Sequence, residues 1–124
     1  MSEHLHVEHV EFEQCSDYVA DTYVSFANAS IWIYPHLIKE KLRVWVYSGD
    51  VDADVPITGT LAWMEMFRQE QELPVLEPWR EWWTKGLHKH EDQVGGMYWE
   101  LKGLSFVSVK GAGHMVPKDK PKEA

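Results

Sequence analysis

The stretch LRVWVYSGD, Leu42 to Asp50, constrains the fold more than any other part of the chain. It is β-branched and aromatic, apolar at nearly every position, and stopped by Gly49. Continuous rather than alternating hydrophobicity predicts a parallel strand covered on both faces. Immediately after it, Asp50, Asp52 and Asp54 crowd into one turn, and Val55-Pro56 leads into a new helical pattern.

The elements around this strand make the class α/β or α+β. Residues 5–12 alternate apolar and polar positions and suit a short strand or an extended entry. Ser16 reads as an N-cap for a helix over DYVADTYVSF, with Asp17 in its first turn. Pro35 suits the first turn of a second helix, PHLIKEK. ITGTLAWMEMFRQEQE reads as a third, with Leu61, Met64, Met66 and Phe67 available for packing. The Pro- and Trp-rich segment 74–87 is read mostly as loop. QVGGMYWELK and GLSFVSVK form two apolar runs that turn at Lys102-Gly103, as a hairpin would. A Gly-rich loop, GAGHMVPKDKP, follows, and KPKEA begins a further helical pattern. With no repeat and no linker in 124 residues, one domain is the upper bound.

Composition excludes several functions. Apolar residues make up 44% and charged residues 26%, a globular balance rather than a disordered one. A net charge of −8 argues against nucleic acid and anionic membranes as partners, because both need clustered Lys and Arg. No apolar run approaches the ~20 residues of a membrane span. MSEHLHVEHVEFEQ has neither a basic nor an apolar region, so it is not expected to act as a signal peptide. Seven tryptophans imply large apolar surfaces to fill, in a core or against a partner.

Chemistry concentrates in two loops. The three aspartates fit a turn with solvated carboxylates. They also fit a D-x-D-x-D calcium loop, although the Gly and distal Glu of such loops are missing and Val55 and Pro56 follow instead. A third reading is a carboxylate at a strand's C-terminal end, placed to orient a histidine. His114 sits between Gly-Ala-Gly and Met-Val-Pro after the apolar run LSFVSVK. Small neighbours let the backbone turn tightly and leave the imidazole exposed. An acidic loop after one strand and a His loop after a later one follow the Asp…His half of the order Ser…Asp…His. None of Ser2, Ser16, Ser25, Ser30, Ser48, Ser105 and Ser108 lies in G-x-S-x-G. His4, His6 and His9 do not share one face and are read as incidental rather than as a zinc site. His88 and His90 lie in a polar stretch and are read as solvated. Cys15 is either a buried thiol or half of a disulfide completed outside this chain. Asn28-Ala29-Ser30 is a glycosylation triplet, meaningful if the protein is secreted.

LRVWVYSGDVDADVPITGT and LSFVSVKGAGHMVPKDKP closely resemble the C-terminal third of the serine carboxypeptidases, of the cathepsin A and carboxypeptidase Y type. LHVEHVEFEQCSDYVADTY, PWREWW and QVGGMYWELKGLSFVSV extend the resemblance over nearly the whole chain. It implies the C-terminal part of an α/β-hydrolase fold with an incomplete sheet, over residues 1–124. The implied activity is removal of single residues from peptide or protein C-termini by a Ser-His-Asp triad, with no cofactor and no metal. Carried over by position, Asp52 is the catalytic aspartate and His114 the catalytic base. Gly49 and Asp50 form the turn that presents Asp52, and Asp54 is a variable, exposed position. Met115 lines the leaving-residue side of the cleft. Cys15 pairs with a cysteine of the N-terminal part, in an oxidising compartment. The implied location is secreted or lysosomal/vacuolar.

The serine elbow and the oxyanion-hole segment of that family have no counterpart in this sequence. Two expectations follow. One is a portion of a serine carboxypeptidase that depends on an N-terminal part and is inactive without it. The alternative is a non-catalytic binding or assembly module with a Trp-rich surface.

Overall fold

A computed structural model describes residues 13, 15–25, 29–85 and 92–124. Its elements are α1 (Asp17–Thr22), a short 3-10 turn (Ile31–Ile33), α2 (Tyr34–Lys39), β1 (Val44–Gly49), α3 (Ile57–Glu70), β2 (Val75–Thr84), β3 (Gln93–Leu101), β4 (Leu104–Val109) and α4 (Val116–Asp119). The strands make one open sheet in the order β1-β4-β3-β2. β1 runs parallel to β4, in register from Val44 opposite Leu104 to Gly49 opposite Val109. β4 and β3 are antiparallel, as are β3 and β2. The mixed content and open four-stranded sheet are those of a partial α/β-hydrolase fold.

The main core lies on one face of the sheet. Val44 and Val46 of β1, Leu104 and Phe106 of β4, and Trp99 and Leu101 of β3 point toward Met64 and Phe67 of α3, with Tyr34 and Ile38 of α2 closing the flank. Thr60, Met64 and Phe67 are the buried residues of α3, at the i, i+4, i+7 spacing of one helical face. Met66, expected to pack, is half-exposed because it sits about a third of a turn from that stripe.

The opposite face is open at β1, where Trp45 is 62% and Tyr47 57% exposed. The expectation of a strand covered on both faces is therefore met on one face only among the described residues. β1 also lies at the edge of the sheet, paired with β4 on one side.

Segment 75–84, expected as loop, is the long edge strand β2. Its pairing with β3 shifts register between Val75 and Glu77, between Glu77 and Arg80, and between Trp82 and Trp83. Pro78 sits inside one of these breaks. A proline that cannot donate to the ladder is tolerated on an edge strand and at a bulge, so the feature that argued for loop marks an irregular strand. Trp79 stacks on Trp99, with ring centroids 5.8 Å apart. The indole N–H of Trp82 donates to the carbonyl of Ser108 at 2.9 Å. Gly95 makes room for the Trp82 ring, since a Cβ there would lie 2.3 Å from it.

The hairpin at Lys102-Gly103 forms as expected, with Gly103 at φ +87°. α1 is shorter than its pattern, and Ser16 occupies the N-cap position without a side-chain cap bond. At the C-terminal end the helix is Val116–Asp119, and Lys120–Ala124 form turns that hydrogen-bond to the Lys120 carbonyl. No helix among the described residues is long and apolar enough to cross a membrane.

Candidate active site

Because β1 and β4 are parallel neighbours, their carboxyl ends lie side by side. The acidic loop and the His114 loop leave the sheet from the same end, where α/β sheets carry their ligands. Three hydrogen bonds stitch the loops together. Asp50 N–H donates to Val109 O (3.1 Å), Val51 N–H donates to Ala112 O (3.1 Å), and Asp50 Oδ1 accepts from Gly111 N–H (2.6 Å). Gly49 permits the closeness, because a Cβ on it would lie 2.1 Å from Ala112 O.

Asp52 is held from both sides. Its Oδ1 accepts the backbone N–H of Asp54 (2.9 Å) and of Val55 (3.0 Å), while Oδ2 lies 3.1 Å from His114 Nδ1. Its side chain is 6% exposed and that of His114 is 53% exposed. The Val55 N–H, followed by those of Asp54 and His114, pulls the Asp52 carboxyl below the usual carboxylate range against the opposing effect of burial. An ionised Asp52 can only accept, so Nδ1 of His114 carries the proton. In the neutral ring, Nε2 is then a bare acceptor on the exposed side.

His114 is anchored on both flanks. Gly113 N–H donates to Asp119 Oδ2 at 2.8 Å. Val116 is buried with Val109 and Ala112 against Trp82. Asp119 and Trp82 are positioning residues that sequence reasoning missed. The first stands in the string GAGHMVPKDKP, where it is assigned no role, and nothing local signalled the second.

A pocket of about 230 Å³ opens beside the pair, lined by Tyr47, Ser48, Gly49, Asp52, Val55, Thr60, His114 and Val116. Ser48 borders it, but its hydroxyl is buried and donates to Gly49 O at 3.3 Å. An oriented imidazole with a free Nε2 can accept a proton from a hydroxyl and return it to a leaving group.

Asp54 is 79% exposed as expected, yet its Oδ2 lies 3.8 Å from His114 Nε2. Met115 follows His114 as a half-exposed side chain at the N-cap position of α4. Cys15 is an exposed free thiol, which removes the buried-thiol reading. Asn28, His4, His6, His9, His88 and His90 lie outside the described residues. Among the described residues, no group of three or more His, Cys, Asp or Glu side chains could hold a metal ion.

The family model described as serine carboxypeptidase matches residues 1–124. Serine carboxypeptidase-like 33 of Arabidopsis thaliana is 40% identical over 111 residues, 89% of this chain and 21% of that protein. Serine carboxypeptidase 24 of the same plant is 38% identical over 110 residues, 89% of this chain and 22% of its own length. P-(S)-hydroxymandelonitrile lyase of Sorghum bicolor is 38% identical over 110 residues, 89% of this chain and 20% of that protein. The chain thus spans about a fifth of the length of the relatives it matches. It belongs to the serine carboxypeptidase family.

Proposed function

We propose that this chain supplies the aspartate and histidine of a serine-type carboxypeptidase acting on peptide or protein C-termini. The nucleophilic serine and the oxyanion hole would come from a portion outside these 124 residues. One observation carries the reading: the buried carboxylate of Asp52 lies 3.1 Å from Nδ1 of a half-exposed His114, at the carboxyl ends of two parallel strands.

The serine hydroxyl attacks the scissile carbonyl while His114 Nε2 takes its proton. Asp52 holds the ring's tautomer and stabilises the imidazolium. Nε2 then protonates the leaving amine, and water repeats the cycle on the acyl-enzyme. Met115 borders the leaving residue. An exposed Cys15 is available to pair with a cysteine of the complementary portion, in a secreted or lysosomal/vacuolar setting where Asn28 is a glycosylation candidate.

The test joins this chain to its complementary portion. Labelling by a serine-directed fluorophosphonate, together with release of C-terminal residues from peptides, is expected. Both should be lost in His114→Ala. Release of cyanide from a hydroxynitrile without peptide hydrolysis would assign the site to lyase chemistry, after the Sorghum relative's name. Failure to label, with or without the complementary portion, would leave the non-catalytic binding module as the reading.

A further inference from the structure

The side chain of His114 is half-exposed, so its own burial does not set its place. The backbone that carries it does. Ala112, two residues before it, is 0% exposed, and Val116, two residues after it, is 2% exposed. Both stand with Val109 in a small cluster separate from the α3 core, and Trp82 packs against that cluster. Trp82 belongs to β2, at the far edge of the sheet, with β3 between it and β4. Its ring crosses β3 where that strand carries two glycines. A Cβ on Gly95 would run into the ring atoms Cζ3, Cη2 and Cε3, and one on Gly96 would lie 2.8 Å from the indole nitrogen. The indole N–H then donates to Ser108 O at 2.9 Å. Ser108 is itself tied to β3, since its Oγ accepts from Met97 N–H at 2.8 Å. A tryptophan from the edge strand is thus pinned to β4 and supports both buried feet of the His114 loop.

We propose that Trp82 is a positioning residue for proton transfer at His114: seated in the Gly95-Gly96 trough, its ring holds Ala112 and Val116, and through them the place of Nε2. The assignment rests on the carboxypeptidase reading above and extends the machinery to β2, three strands from the Asp52 strand β1. Without the ring a void opens beside both feet, and the loop relaxes into it. Such a shift acts on kcat rather than on substrate affinity, because Nε2 takes the proton only as the serine attacks.

The experiment uses the complete enzyme and an N-blocked peptide ending in leucine, with rates normalised to the fraction of enzyme that a fluorophosphonate finally labels. Trp82→Ala should lower kcat, and the rate of labelling with it, roughly 10- to 100-fold, with KM within about 2-fold of native. Trp82→Phe keeps a ring in the trough and loses only the N–H, so it should recover all but about 5-fold. Trp79→Ala is the control for plain loss of stability. Its ring, on the same strand, stacks on Trp99 of the α3 core, so Tm should fall while normalised kcat stays native. Gly95→Ala tests the trough with the ring still present. In the native background the new methyl displaces the indole and should lower kcat as Trp82→Ala does; in Trp82→Ala it meets no ring and should lower it no further. Native kcat in Trp82→Ala, or losses from the two substitutions that multiply in the double variant, overturns the assignment and leaves the carboxypeptidase reading intact. If the native enzyme labels but hydrolyses no peptide, the carboxypeptidase reading falls and the labelling rates of the same variants decide the role of Trp82. Neither labelling nor hydrolysis overturns both.

Discussion

Gly49→Ala is the sharpest probe of how the two loops are held. The new methyl carbon would sit 2.1 Å from Ala112 O, 2.4 Å from Gly113 O and 2.5 Å from the Ala112 carbonyl carbon. All three are backbone atoms, so no side chain can swing aside. Relief to an ordinary contact requires the 110–115 loop to move by about 1 Å. The same hydrogen bonds that stitch the loops resist that movement, Val51 N–H to Ala112 O at 3.1 Å above all. Overpacking of a fixed backbone site costs ~1–3 kcal/mol, and the weakened stitching adds to it. For a chain of this size ~2–3 kcal/mol lowers Tm by roughly 6–15 °C. Because His114 rides on the displaced loop, its Nδ1 would withdraw from Asp52 beyond hydrogen-bond range. Urea unfolding should show a lower midpoint at unchanged slope, and NMR should show the Nδ1–H resonance of His114 exchange-broadened or lost. A variant with native stability and an intact Nδ1–H signal would refute the claim that backbone proximity at Gly49 sets the pair.

Three further outcomes are expected. Gly59→Ala, with nothing within 4 Å of the added Cβ on α3, should be stabilising by ~0.5–1 kcal/mol in thermal unfolding, the opposite sign from Gly49. Phe106→Ala removes a side chain with 0% exposure from the centre of the core and should cost ~3–5 kcal/mol in denaturant titration. The folded-state pKa of Asp52 is depressed, so its ionised form contributes stability in full above the ordinary carboxylate range and loses it as pH falls through the lowered value. The part of the stability gap between native protein and Asp52→Asn that comes from the Asp52 carboxylate should therefore close as pH falls below ~4–5; a gap that widens in acid would contradict this.

The fold was legible where local pattern and local structure coincide. LRVWVYS, ITGTLAWMEMFRQE and the two runs flanking Lys102-Gly103 carry their own periodicity and turn chemistry, and became β1, α3 and the β3–β4 hairpin. β2 was not legible, because Pro78 and the register breaks are acceptable only at a sheet edge, and edge position is a tertiary property. Likewise, the exposure of Trp45 and Tyr47 follows from which face α2 and α3 happen to cover.

The same division runs through the site. Sequence alone determined that a carboxylate loop and a glycine-flanked histidine each end an apolar strand, in Asp…His order, and motif resemblance singled out Asp52 and His114. Tertiary structure decided the rest. Residues 62 positions apart meet only because β1 and β4 pair in parallel, which brings two carboxyl ends together and lets Gly49 close against Ala112. It alone set Asp119 behind Gly113 and swung the Asp54 carboxylate beside Nε2, since a side chain's neighbour across two loops depends on backbone approach and not on local spacing.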